Sequence, residues 1–204
     1  MLIPSQVMAN AFYPVYTTFV AAANSSSNGT YSTSKATSTG AEAIALLADL
    51  DAILTASGQA HFSLAAWIAE ARSWTSPTTT LPTTSTNTST VAQTASFYEY
   101  NARNQITLWG PTGEISDYAS KQWGGLISSY YIPRWQLFFN VTVNGTTTAN
   151  GANSALSSSL LAFEESWQLQ TWGEALGESY APPGQGELQR TIARVVKAWP
   201  SVFA

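Results

Sequence analysis

Of the chain's 204 residues only 10% are Asp, Glu, Lys or Arg, against roughly 25% in ordinary soluble domains, and 45% are hydrophobic, so hydroxyls rather than charges must solvate much of its surface. The length suits one domain with a sizeable core, and a formal net charge of -4, a pI of about 4.8 and the lack of any basic run exclude nucleic acid as a partner. Cysteine is absent, which excludes disulfides, thiol nucleophiles and thiolate metal sites without fixing the compartment.

Apolar residues Ile3, Val7, Ala11, Val15 and Phe19 recur every four positions, which predicts a first helix from about Pro4 to Ala23 with Pro14 bending its middle. A Ser/Thr/Asn-rich loop is expected from there to Gly40. Ile44, Leu47, Leu50 and Leu54 then form a helical stripe that stops near Gly58, and Phe62, Leu64, Trp67, Ile68 and Trp74 mark a third helix. These two helices are expected to pair as an antiparallel hairpin.

Residues 75 to 90, "TSPTTTLPTTSTNTST", are low in complexity and rich in Pro and Thr, a composition that resists helix and strand and reads as an inserted loop. A fourth helix over Val91 to Leu108 would carry Phe97, Tyr98, Asn101, Gln105 and Leu108 along one stripe. Trp109-Gly110-Pro111 breaks it, and Ile115, Ala119, Gln122, Leu126 and Tyr130 trace the next, in which Gly124-Gly125 would let another helix come close.

Pro133 restarts or kinks the chain before Trp135, Phe138 and Phe139, and a second polar loop is expected over residues 140 to 154. Leu156, Leu160, Phe163 and Trp167 give another helix, and Leu188, Ile192, Val195 and Trp199 the last. Neither a period-2 strand nor a repeat of 20 to 50 residues is visible. The expected fold is all-α, an irregular bundle of about six to eight helices with two Ser/Thr-rich loop insertions, in one domain spanning 1–204.

Asn24, Asn28, Asn87, Asn140 and Asn144 each begin an N-glycosylation acceptor triplet in polar, loop-like surroundings, and together they favour a secretory route. The first residues do not make a signal peptide, since no basic segment leads and Ser5, Gln6, Asn10 and Pro14 interrupt any apolar core. No stretch approaches the length of a membrane span, so no membrane partner is expected.

His61 is the only histidine and lies at a helix start, without the paired spacing of metal motifs, so it reads as a capping or surface residue and neither metal nor cofactor is expected. Glycoside hydrolysis needs two facing carboxyl groups. Asp49 with Asp51, and Glu164 with Glu165, read as solvated helix faces instead, while Glu114 and Asp117 suit the first turn of a helix, with Lys121 spaced to pair with Asp117. Trp109, at a helix end before Gly-Pro, can be core or can present its flat face to the C–H groups of a sugar.

The stretch "FYEYNARNQITLWGPTGEISDYASKQWGGLISSYYIPRW", residues 97 to 135, resembles the C-terminal helical domain of the α-N-acetylglucosaminidases, glycoside hydrolase family 89. "AIALLADLDAILTASGQAHFSLAAWIAEAR" and "LIPSQVMANAFYPVYTTFVAAA" resemble the helices that precede it in the family, so the likeness covers nearly the whole chain and is weakest at its end. The resemblance implies a retaining hydrolase of terminal α-linked N-acetylglucosamine, lysosomal or secreted, known in animals for heparan sulfate breakdown. It also implies that both catalytic glutamates belong to an upstream barrel domain, absent here, which agrees with the missing carboxylate pair. The residues matching Trp109 and Ile115 line the family's sugar pocket, whereas Arg103, Asp117, Tyr118, Lys121 and Arg134 stand at matching positions expected mostly to hold helices together. The loops from residues 75 and 140 depart from the family pattern. The alternative is a free-standing, non-catalytic helical module that binds glycans or a partner protein.

Overall fold

A computed structural model describes residues 3–23, 32–75, 91–110, 121–144, 151–171 and 182–204. Among these residues there are seven α-helices and no strand: α1 Ile3–Ala23, α2 Thr33–Ala56, α3 Leu64–Ser73, α4 Val91–Gln105, α5 Ile132–Asn144, α6 Gly151–Gln168 and α7 Glu187–Ala198. A 3-10 turn, Ala60–Phe62, leads into α3, and a π-helical turn, Ile127–Tyr131, leads into α5. The expected all-α bundle is present.

α1 continues through Pro14, whose carbonyl accepts the hydroxyls of Thr17 at 2.9 Å and Thr18 at 2.8 Å. α2 begins well before the expected end of a loop at Gly40. Ser32 caps it by accepting the Lys35 N–H, and Thr39 donates back to the Lys35 carbonyl at 2.7 Å, so hydroxyl-rich sequence is accommodated inside a helix. Gly40 is a packing position and not a stop, because a Cβ there would stand 3.4 Å from the Phe139 ring of α5.

The expected pairing of the second and third helices is replaced by two others. α1 packs along α2, with Met8 beside Leu46 to Leu54 and Phe19 beside Ala36 and Ala43, an antiparallel arrangement. α3 packs against α4, fastened by the indole N–H of Trp67 donating to the Ala102 carbonyl at 2.9 Å. On and just past α4 the predicted stripe holds only in part: Leu108 is buried, but Phe97 and Gln105 are exposed, and Ala95, Glu99, Ala102, Arg103 and Ile106 face inward.

The helix expected through Gln122 does not include residues 121–124. Gly124 instead makes an isolated parallel bridge to Ser63, donating to the Phe62 carbonyl at 2.8 Å and accepting from Leu64 at 3.0 Å. The close approach expected at Gly124 is present, since a Cβ there would stand 2.7 Å from the Thr55 backbone nitrogen of α2. Asp51 of α2 caps the run that follows, accepting from Gly125 N at 2.8 Å and Ser128 N at 3.2 Å.

Three clusters make the core. Met8, Leu46, Leu50, Ile53, Ile127 and Val195 join α1, α2 and α7; Phe19, Ala36, Ala43 and Phe139 join α1, α2 and α5; Leu64, Ile68, Ala102, Ile106, Tyr130 and Trp167 join α3, α4 and α6. Successive residues Leu126 and Ile127 are buried in different clusters, so the segment before α5 ties the halves of the molecule together. Of the polar loop expected over 140–154, residues up to Asn144 belong to α5 and those from Gly151 on to α6, and the residues between lie outside the described ones. Nearly all of the 75–90 insertion lies outside the described residues. No helix among the described residues is long and apolar enough to cross a membrane.

Candidate functional site

Past Gln105 the chain tightens into turns: Ile106 donates to the Arg103 carbonyl at 3.3 Å, and Thr107 and Trp109 both donate to that of Asn104, at 3.2 and 2.8 Å. Ile106, Thr107 and Leu108 are buried, and Trp109 emerges behind them with 47% of its surface exposed. Its φ is +48°, a left-handed conformation that a bulky side chain rarely takes. Asn104 locks this turn, its amide donating to the Gly110 carbonyl at 2.7 Å and to Oε1 of Gln168, a buried residue at the end of α6.

Beneath the turn lies a charged layer. Glu99 is fully buried; its Oε1 accepts Nε and Nη2 of Arg103 at 3.0 and 2.9 Å, and its Oε2 accepts Nη1 of Arg72 from α3 at 2.7 Å. The Arg103 guanidinium also sits 4.6 Å from the centre of the Trp167 ring. Burial pulls the Arg103 pKa down from its ordinary value and Glu99 opposes that shift, the pattern of a desolvated cation kept by its partner. On α5, Arg134 holds the buried Glu164 of α6 at 2.5 Å. Arg103 and Arg134 thus fasten helices, as expected of them.

Three of the four acids taken as solvated faces are structural. Asp49 accepts Nη1 of Arg194 at 2.6 Å and the Trp199 indole N–H at 2.7 Å, Asp51 caps the segment before α5, and Glu164 is ion-paired. Desolvation raises the Asp51 pKa above the ordinary 3.8, with hydrogen bonds from Ser128 and Gly125 opposing the shift. With Asp49 and Glu164 engaged by arginines and Asp51 by backbone N–H groups, neither of these two acid pairs is left to face across an open site.

Ile115, Glu114, Asp117 and Tyr118 lie outside the described residues. Lys121 stands over the Trp123 ring at 5.1 Å, and Trp123 packs against Trp67 at 5.6 Å. His61 is exposed in the 3-10 turn before α3. Asn140 is exposed and its triplet, 140–142, lies within α5 and not in a loop; Asn144 is the last residue of that helix, and the rest of its triplet, with Asn24, Asn28 and Asn87, lies outside the described residues. Among the described residues no three His, Asp or Glu side chains gather as metal ligands.

Asn104, Gln168 and Glu99 were not singled out by the sequence. The only local signal for Glu99 is its spacing four residues before Arg103, an ordinary feature of exposed helices.

A family model described as the alpha-N-acetylglucosaminidase (NAGLU) C-terminal domain matches residues 3–192. Human alpha-N-acetylglucosaminidase is 40% identical over 106 residues, which are 52% of this chain and 12% of that protein. The family 89 glycoside hydrolase from Clostridium perfringens, solved in complex with PUGNAc, superposes with a TM-score of 0.67 at 21% identity, over 96% of this chain and 20% of that one. The chain spans about an eighth of the human relative and a fifth of the bacterial one, and the structural likeness bears on the fold.

Proposed function

The chain belongs to the alpha-N-acetylglucosaminidase C-terminal domain family, and from that premise we propose that its helices form one wall of a sugar pocket whose catalytic part lies in a separate domain. The substrate class is a glycan ending in α-linked N-acetylglucosamine. The observation that carries this reading is the Trp109 turn, where a half-exposed indole is held in a strained backbone conformation by Asn104 and Gln168. Strain of about 1–3 kcal/mol persists where surrounding structure over-determines it, and functional positions are where it concentrates.

In this reading Trp109 offers its ring face to the C–H groups of the sugar, Ile115 contributes an apolar contact beside it, and the catalytic carboxylates come from a barrel domain against which this domain packs. The buried ion pairs keep the wall rigid when substrate binds. The five acceptor triplets at Asn24, Asn28, Asn87, Asn140 and Asn144 suit passage through the secretory pathway to a secreted or lysosomal destination.

The test is hydrolysis of 4-nitrophenyl α-N-acetylglucosaminide. The 204-residue chain alone is expected to give no turnover, and robust turnover by it would refute the proposal. Joined to a family barrel domain it is expected to be active, with Trp109→Ala losing stacking worth about 1.5–3 kcal/mol, roughly 10- to 150-fold in kcat/KM. Saturable sugar binding by the isolated chain, lost in Trp109→Ala, together with no barrel-dependent activity, would favour the free-standing binding module instead.

A further inference from the structure

α3 and α4 leave between them an open cleft of about 330 Å³, separate from the Trp109 turn. Two helical stripes line it, Trp67, Ala71 and Trp74 from α3 and Tyr98, Ala102 and Gln105 from α4. The two alanines create the hollow by withholding bulk where the helices face each other, and the Trp67 hydrogen bond to the Ala102 carbonyl fixes their separation.

The chemistry of the lining is mixed in a particular way. Trp74, at the C-cap of α3, is 71% exposed, so a large indole stands in water at the rim with little packing to explain it. Tyr98 supplies a second ring from the opposite helix. Glu70, Asn101 and Gln105 complete the lining, and among the described residues their side chains make no hydrogen bond or ion pair with another residue.

We infer that this cleft is a second sugar-binding site, which takes one neutral pyranose ring. A pyranose has apolar C–H faces for the two aromatic rings and a rim of hydroxyls that both donate and accept, as amides do. The volume is at the lower end of the roughly 300–1,000 Å³ usual for small-molecule sites, which limits the occupant to a small ring. Charge makes the choice narrower: Glu70 is the only acidic or basic residue in the lining, and Arg72 and Arg103, each next in sequence to a lining alanine, are committed to Glu99. A sulfated or carboxylated sugar would meet a carboxylate and no cation. The inference does not depend on Trp109 lining a catalytic pocket.

The test removes the turn first. A Trp109→Ala chain is titrated by calorimetry with methyl β-N-acetylglucosaminide and, in parallel, with the anionic methyl β-glucuronide. Saturable binding of the neutral sugar is expected, at least about tenfold weaker once Trp74→Ala is added, because a ring contact of that size is lost. The glucuronide is expected to bind more weakly than the neutral sugar. Adding Gln105→Ala instead, which removes an exposed amide and no packing, is expected to weaken binding about threefold or more. Absence of saturable binding, affinity unchanged by either substitution, or a preference for the glucuronide would each overturn the inference.

Discussion

Trp109 and Glu99 are the residues whose energetics run against ordinary preference. At φ +48° an asparagine is more comfortable than a tryptophan. Trp109→Asn is therefore expected to trade about 1–3 kcal/mol of relieved strain against the packing of the buried half of the indole, leaving stability in urea within about 1 kcal/mol of the parent chain. A loss well beyond that would make Trp109 a core residue and remove the main support for its role in a pocket. Glu99→Gln is expected to do the opposite, because it leaves two arginines, one of them buried, without their carboxylate. Breaking such a pair costs about 3–5 kcal/mol, a large share of the roughly 5–15 kcal/mol that holds a domain together; a loss below about 1 kcal/mol would contradict the assigned role. Trp109 could be found from sequence because its helix-ending Gly-Pro context is local. Glu99, Asp49 and Glu164 could not, because the partners that make them structural lie 27, 145 and 30 residues away respectively.

Helices with a clean apolar stripe, such as α6 and α7, were legible because burial on one face imposes the spacing directly. α2 was only half legible: its first turns are Ser, Thr and Gly, which suit loops unless hydroxyls bond back to the helix and a neighbour packs on the glycine, and both conditions depend on tertiary structure. The contact of α2 with residues 124–128 yields two predictions. Gly124→Ala would press a methyl within 2.9 Å of the Thr55 Cα and closer still to its nitrogen. The backbones must then separate, with an expected loss of about 1–3 kcal/mol in urea unfolding; an unchanged midpoint would mean that the approach is looser.

Asp51→Asn keeps an oxygen for the Gly125 and Ser128 N–H groups and removes a charge that burial disfavours. Because the folded pKa of Asp51 is raised, the folded state binds more protons than the unfolded state from about 3.8 upward to the raised value, and stability from this group falls as pH rises through that interval. The Asn variant lacks that fall. Its stability relative to the parent chain should improve with rising pH across the interval and level off above it, as read from urea unfolding at a series of pH values. A difference independent of pH would contradict the raised pKa.

At the scale of the molecule, the three clusters of the described residues meet through α2 and the segment before α5, so those residues share one connected core. Around the turn, Trp109 is half-exposed, whereas Trp123 is packed against Trp67 with Lys121 over its ring. Exposed Phe62, Trp74 and Phe97 on and beside α3 and α4 add apolar surface on that half of the molecule. The fold was legible as all-α because helical periodicity is a property of the chain, while the site was legible only as a turn, since its supports come from α3 and α6.

The central claim, that this domain works as part of a larger glycosidase, is tested most directly by the mass of the native protein. An antibody to residues 97 to 135 would recover it from its source, and enzymatic deglycosylation would remove any sugar before the mass is measured. The account predicts a polypeptide several-fold heavier than the 21.8 kDa of this chain, with a catalytic domain attached. A polypeptide of 21.8 kDa would contradict it and make these helices a module that functions alone.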